Sequence, residues 1–344
     1  MKAKYALFCV LTASLSLLFF FAILLSLDLY YHKKFLMSAG LNYKGYRGEV
    51  LGRKEKNEIR IAVLGGSSVF GYGVRYFEAL PAQLEKDLQA YSDARGTNKK
   101  IKVINLAYNN EGAYAFYYNL KDFSALDYDY VLIYAGYNDL GGGNVTVYRH
   151  KNPIFRIFGY MPIIPMLARE KIMVIQSGGQ LEKAYLGQKI VFKPNTKDRI
   201  KVAILNNFLG VYNNLEENVG KLKKMKNLDF DPERLKKDPF SWYVHFMKKS
   251  IDYAMENKKK VIVITQPYIN KAHIIEQDAM RAMLDKEYSG NPNLLYVNLG
   301  ESISLKDETL SFDNMHLTVK GCKTMANIIS DKIRDYILPR QPAI

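Results

Sequence analysis

An apolar run that breaks into glycines around two serines, Arg60 to Gly73, constrains the fold of this chain more than any other stretch. Ile61, Ala62, Val63 and Leu64 form a short, continuous segment, the pattern of a strand covered on both faces of a parallel sheet. Gly65 and Gly66 then remove the side chains that would keep a ligand away from the backbone. Open α/β sheets bind ligands beyond the carboxyl ends of their strands, so a serine on this turn is placed to act as a nucleophile, and Ser67 is the candidate. Two nucleotide readings of the loop fail. Gly66 and Gly71 have the separation of a phosphate-binding loop, but Tyr72 stands where that motif needs its lysine, and no G-x-G-x-x-G passes through these residues. A plain structural turn is the other reading of the loop taken alone.

The same grammar recurs along the chain. A second strand, Ile101 to Leu106, ends in a loop running from Asn105 to Gly112, and a third, Asp129 to Ala135, runs into Gly136, Tyr137, Asn138 and Asp139. Helical spacing puts Leu80, Leu84 and Leu88 on one face of a helix over 77–91, with Pro81 acceptable in its first turn, and predicts another helix over 113–122. The sheet pattern resumes over 260–267 and 293–299, with helices over 271–287 and 318–337. Strands alternating with helices imply an α/β fold with a parallel sheet and right-handed crossovers, which collects the loops along one edge.

The N-terminus reads as an anchor. Tyr5 to Leu27 carries no charge, lies between Lys4 and Asp28, and is long enough to cross a hydrocarbon core of about 30 Å. No small-x-small cleavage site follows, so an uncleaved single-pass transmembrane helix within 1–34 is expected rather than a signal peptide. A connector over 35–56 leads to one domain over 57–338, in which about 145–258 turns to helices and prolines, as an insertion or cap. Lys2 and Lys4 on one side of the span face Lys33 and Lys34 on the other, so charge does not set the orientation. Short N-terminal tails usually stay in the cytoplasm, which puts the large domain on the periplasmic or cell-surface side. Tyr30 and Tyr31 suit an interfacial aromatic belt. Within the cap, Phe155 to Ala168 is unusually apolar, but Arg156, Pro162 and Pro165 argue against a second span. It is expected either to cover the catalytic edge or lie on the bilayer, or to pack on the core through Ile157, Ile163, Ile164 and Leu167.

A formal charge of +15 suggests attraction to anionic surfaces, which an anchored domain meets as lipid head groups. Nucleic acid is not an expected partner. Basic residues are scattered or clustered in helical segments such as 221–226, with no zinc-finger spacing or RNA-binding signature. Two cysteines, Cys9 in the apolar span and Cys322 far along the chain, make no disulfide framework.

A serine nucleophile needs a base within hydrogen-bond reach and a third group to orient that base. Of five histidines, His32 borders the span, His150 and His245 fall in the cap, and His273 lies on a predicted helix where Glu276 reads as a surface neighbour. His316 differs. It follows Asp313 by three residues just before a helix, a spacing at which a turn brings the carboxylate to one ring nitrogen and leaves the other for Ser67. Read alone, the pair is also compatible with a capping aspartate and a surface histidine.

Taken together and in order, the loops resemble the SGNH hydrolase family, relatives of the GDSL esterases. That family's first block, a serine turn with a glycine four residues later, is met by Gly66, Ser67 and Gly71, although Gly66 takes the place of its usual aspartate. Gly112 is the best match to the second block, Gly136-Tyr137-Asn138-Asp139 meets the third, and Asp313 with His316 meets the last. The resemblance implies a three-layer α/β/α, flavodoxin-like hydrolase that needs no metal or cofactor. Ser67 would attack an ester carbonyl, His316 would take its proton, and Asp313 would hold the imidazole tautomer. The backbone N–H groups of Ser67 and Gly112, with the Asn138 amide, would form the oxyanion hole, and Asp139 would fix its loop. The expected substrate is an O-acyl ester of an envelope glycan or a lipid. Water as acceptor makes an esterase, and a carbohydrate hydroxyl makes an O-acyltransferase. A non-catalytic envelope protein that binds glycan or a partner is the reading from another class, and a complete triad argues against it.

Overall fold

In the computed structural model, which describes residues 2–38, 40–180, 192–222 and 240–339, the apolar runs pair as one parallel sheet. Its strands are β1 (Glu58–Gly65), β2 (Lys100–Asn105), β3 (Tyr130–Ala135), β4 (Lys260–Thr265) and β5 (Leu294–Val297), in the spatial order β2-β1-β3-β4-β5. Val63 of β1 stands opposite Asn105 on one side and Leu132 on the other. The helices are α1 (Lys2–Phe35), α2 (Ser67–Phe70), α3 (Leu80–Ala94), α4 (Ala113–Asp122), α5 (Pro153–Phe158), α6 (Ile164–Gln176), α7 (Thr196–Leu222), α8 (Ser241–Glu256), α9 (Lys271–Tyr288) and α10 (Val319–Ile337).

Alternation of side chains along each strand loads both faces of the sheet. Ala62, Leu64, Val131, Ile133, Val261 and Val263 pack with Phe116 of α4, Phe246 and Ile251 of α8, and Met280 of α9. On the other face Ile61, Val63, Leu132, Ile262 and Ile264 meet Leu84 and Leu88 of α3 and Met325, Ile329 and Ile333 of α10. The fold is therefore three-layer α/β/α with the flavodoxin-like strand order, whose ligand crevice opens between the carboxyl ends of β1 and β3. The helix expected over 77–91 is divided. A 3-10 turn over Tyr76–Glu78 precedes α3, because Ala79 is extended (φ −65°, ψ 154°) and Pro81 begins a fresh first turn. The crossover from β3 to β4 ends in α8, which packs on α4.

α1 is long and apolar enough to cross a membrane, and its apolar residues are exposed, Phe19 at 70%. Its last turns are not free. Asp28, buried, accepts hydrogen bonds from the backbone N–H groups of Ile163 (3.0 Å) and Ile164 (2.9 Å) and from the Tyr160 hydroxyl (2.5 Å). His32, also buried, has Nδ1 2.8 Å from the Leu41 carbonyl and Nε2 2.8 Å from the Met161 carbonyl, with Asp28 at 3.2 Å. Both carbonyls can only accept, so both ring nitrogens must donate. The histidine that borders the span is thus a latch joining α1 to the start of α6.

The apolar run over 155–168 is unevenly buried. Phe155, Met161 and Ile163 are buried, whereas Ile164 and Leu167 are only partly so. Ile163→Ser is therefore expected to lower stability by about 3 kcal/mol, and Ile164→Ser by much less. Urea denaturation of the two variants measures the difference, and equal losses would contradict the division. Residues 223–226 of the basic run at 221–226 lie outside the described residues.

Candidate active site

β1 delivers the chain at Gly65 to the crevice, and α2 begins at Ser67, closing one turn with Val69 and Phe70 N–H groups on the Gly66 carbonyl. Ser67 Oγ is 2.7 Å from His316 Nε2, and His316 Nδ1 is 2.5 Å from Asp313 Oδ2. The carboxylate accepts the hydrogen bond from Nδ1–H, which leaves Nε2 as the acceptor for the serine hydroxyl. Asp313 Oδ1 accepts from the backbone N–H groups of Met315 (3.0 Å) and His316 (2.7 Å), so the turn before α10 fixes the carboxylate as well as the ring. Partial burial pulls the Asp313 carboxyl upward, but the hydrogen bonds and charge of His316 outweigh it and hold the group below its ordinary value. Ser68 is engaged elsewhere, donating to the Met315 carbonyl at 3.3 Å. The exposed rings of Tyr72 and Phe312 flank the His316 ring at centroid distances of 4.9 and 5.7 Å.

The third loop brings Asn138 against the turn that carries Ser67. Its Nδ2 donates one hydrogen to the Glu111 carbonyl at 2.9 Å and keeps a second. A Cβ at residue 66 would lie 2.0 Å from that nitrogen, so the absence of a side chain at Gly66 makes room for the amide against this turn. A Cβ at residue 112 would lie 2.5 Å from the Asp139 carboxylate, which accepts from the Ala113 N–H at the start of α4. Burial pushes the Asp139 carboxyl up to about 7 against that hydrogen bond. Among the described residues no acceptor meets the backbone N–H of Ser67 or Gly112. The pit beside Ser67, lined by Gly66, Glu111, Gly136, Asn138 and Gln266 among others, has a volume of about 10 Å³, which is room for one water-sized atom.

Several residues that hold these loops escaped the sequence reading. Arg47, buried in the connector, donates to the carbonyls of Phe70, Gly71 (2.7 Å) and Val74 (2.6 Å) around the Ser67 turn, and to that of Ser38 (2.5 Å). Gln266, just past β4, accepts from the Tyr137 N–H at 2.9 Å. Gln266, like Asn138, is a polar residue just past the end of a strand. Glu111 and Arg149 form an ion pair of 2.9 Å with both side chains fully buried. Glu111 also accepts from Asn119 (2.8 Å) and the Tyr148 N–H (3.1 Å), while Arg149 reaches the carbonyls of Leu106 (2.6 Å) and Gly45 (3.1 Å).

His273 and Glu276 are not surface neighbours. Both are fully buried with Gln277 on the face of α9 that lies under Gly136, where a Cβ would come within 2.4 to 2.9 Å of all three side chains. Burial pulls His273 down to about 4, and burial with the nearby Asp139 pushes Glu276 up to about 9, so both are neutral at pH 7. Gln277 donates to the Ala135 carbonyl at 3.2 Å and ties this face to the end of β3.

No protein-family model matches the chain, and a search of curated proteins gives no match. Solved structures similar to it include a family 3 carbohydrate esterase from Clostridium thermocellum (11% identity, 82% of this chain and 98% of that one, TM-score 0.42). A psychrotrophic esterase from Pseudoalteromonas sp. is similar over 81% of this chain and 98% of its own, at 10% identity and TM-score 0.41. So is an acetylxylan esterase from Geobacillus stearothermophilus, over 80% and 94%, at 14% identity and TM-score 0.42.

Proposed function

We propose that the chain is a serine-dependent ester hydrolase of the SGNH type, acting on an O-acyl ester through an acyl-enzyme. The observation that carries this is the unbroken line from Ser67 Oγ to His316 Nε2 and from His316 Nδ1 to Asp313 at the carboxyl edge of the sheet. Ser67 Oγ attacks the carbonyl carbon while His316 Nε2 takes its proton. The oxygen that gains charge enters the pit, which Ser67 and Asn138 line, and the Asn138 amide and the Ser67 N–H donate to it there, with the N–H of Gly112, next to the pit-lining Glu111, as the third donor. His316 then protonates the departing alcohol, and a water activated by the same nitrogen releases the acid and restores Ser67. A sugar hydroxyl in place of that water would make the same residues an O-acyltransferase.

In this reading α1 anchors the chain in a membrane with the domain over 57–338 on the extracytoplasmic side, and the esters of envelope glycans or lipids are its substrates. The test is labelling of the intact chain with a fluorophosphonate, followed by peptide mapping, alongside turnover of p-nitrophenyl acetate. Modification at Ser67 is expected. Modification at Ser68, or none with no turnover, overturns the proposal. Asn138→Ala is expected to lower kcat about 10²–10³-fold with little change in KM. A rise in KM alone would make Asn138 a substrate-binding residue.

A further inference from the structure

Beside the latch, a cleft with a volume of about 840 Å³ opens between the end of α1 and the cap. Its walls include Tyr31 and Phe35 of α1, Leu167 and Val174 of α6, and Ile204 and Phe208 of α7. The size is that of a ligand pocket and the lining is mainly apolar. α7 carries its apolar surface outward here, with Ile204 63% exposed. Charge gathers at the rim. Lys171 and Glu170 line the cleft, and Lys34 Nζ lies 6.0 Å and 5.6 Å from the ring centroids of Tyr31 and Phe35.

Where the cleft lies says what can fill it. The uncharged run of α1 ends at Leu27, and Tyr31 and Phe35 follow one and two turns later, about 6 and 12 Å along the axis at 1.5 Å per residue. The head-group layer outside a bilayer core is about 5–8 Å thick, so a span ending at Leu27 puts Tyr31 in that layer and Phe35 at its outer edge. The bonds from Asp28 to Ile163 and Ile164 hold α6 against α1 and fix this height. An apolar recess at head-group depth, with Lys171 beside Glu170 in its lining and Lys34 over its aromatic wall, on a chain of charge +15, suits a lipid that turns one chain up out of the bilayer and leaves an anionic head group beside Lys34 and Lys171.

We propose that this cleft binds one acyl chain of an anionic phospholipid from the bilayer that α1 crosses. The proposal rests on α1 being a membrane span and is independent of the chemistry at Ser67. The test places the photo-crosslinking residue p-benzoylphenylalanine at Ile204, in the cleft, or at Val211, which is 72% exposed on α7 and outside the lining. The full chain is reconstituted in vesicles of phosphatidylglycerol and phosphatidylcholine, floated, irradiated and read by mass spectrometry. A phosphatidylglycerol adduct is expected from position 204 and not from 211, with thermal midpoints like that of the parent chain. Lys34→Gln is expected to lower that adduct about fivefold while leaving the phosphatidylcholine adduct unchanged. A chain that does not float removes the anchor and the proposal with it. A chain that floats without an adduct at 204 overturns the proposal alone. Equal adducts at 204 and 211 also overturn it, since they show α7 lying on the bilayer instead of a chain held in the cleft.

Discussion

Ser67→Ala and His316→Ala are each expected to lower kcat on a short p-nitrophenyl ester by about 10⁴–10⁶-fold, and the double variant by hardly more than either alone. The two side chains share one 2.7 Å hydrogen bond and act as a unit, so removing either removes the whole nucleophile. Asp313→Asn should cost about 10⁴-fold, because the amide can turn its NH₂ to Nδ1, which then accepts, and the ring presents its other tautomer, protonated at Nε2, to the serine. Residual turnover in all three variants would come from the oxyanion donors and substrate binding. Steady-state kinetics on variants that keep the parent's thermal midpoint decide the matter, and a His316→Ala protein with most of its activity would dismantle the triad.

The second large effect is structural. Arg149→Met should destabilise the fold by about 3–5 kcal/mol, since it strands the Glu111 carboxylate in a place with no solvent. The loss should spread to catalysis, because the Glu111 carbonyl holds the Asn138 amide and Glu111 precedes Gly112. A double variant, Glu111→Leu with Arg149→Met, separates charge from packing. It should regain much of the stability, as replacing a buried ion pair by apolar groups often does, but not full activity. Denaturant midpoints and kcat for the three proteins test this, and an Arg149→Met protein as stable as its parent would refute it.

The local features of this molecule are legible without coordinates. The strands announce themselves as short apolar runs, because a strand covered on both faces has no polar side to show. Ser67, Asn138, Asp313 and His316 stand out as polar residues on glycine-bearing loops at strand ends or before a helix, and their order along the chain matches one family's blocks. What local pattern cannot reveal is the partner of a charged side chain. Arg47 meets four backbone carbonyls and Arg149 meets Glu111 only after the sheet has formed, since these contacts join residues 9 to 38 or more positions apart. Periodicity scores apolar faces, so a turn of α9 bearing His273, Glu276 and Gln277 reads as solvated although it lies fully buried beneath Gly136.

By itself, then, the sequence determined the class of fold, the run able to cross a membrane, and which residues could form a triad, because each is written in composition and spacing over a few turns of chain. Only the tertiary structure decided that Ser68 is taken up by the Met315 carbonyl, that Gly66 makes room for Asn138, and that Asp28 and His32 latch α1 to α6. Each of these is a contact between segments far apart in sequence, and such contacts exist only when packing of the whole domain repays the entropy of bringing them together.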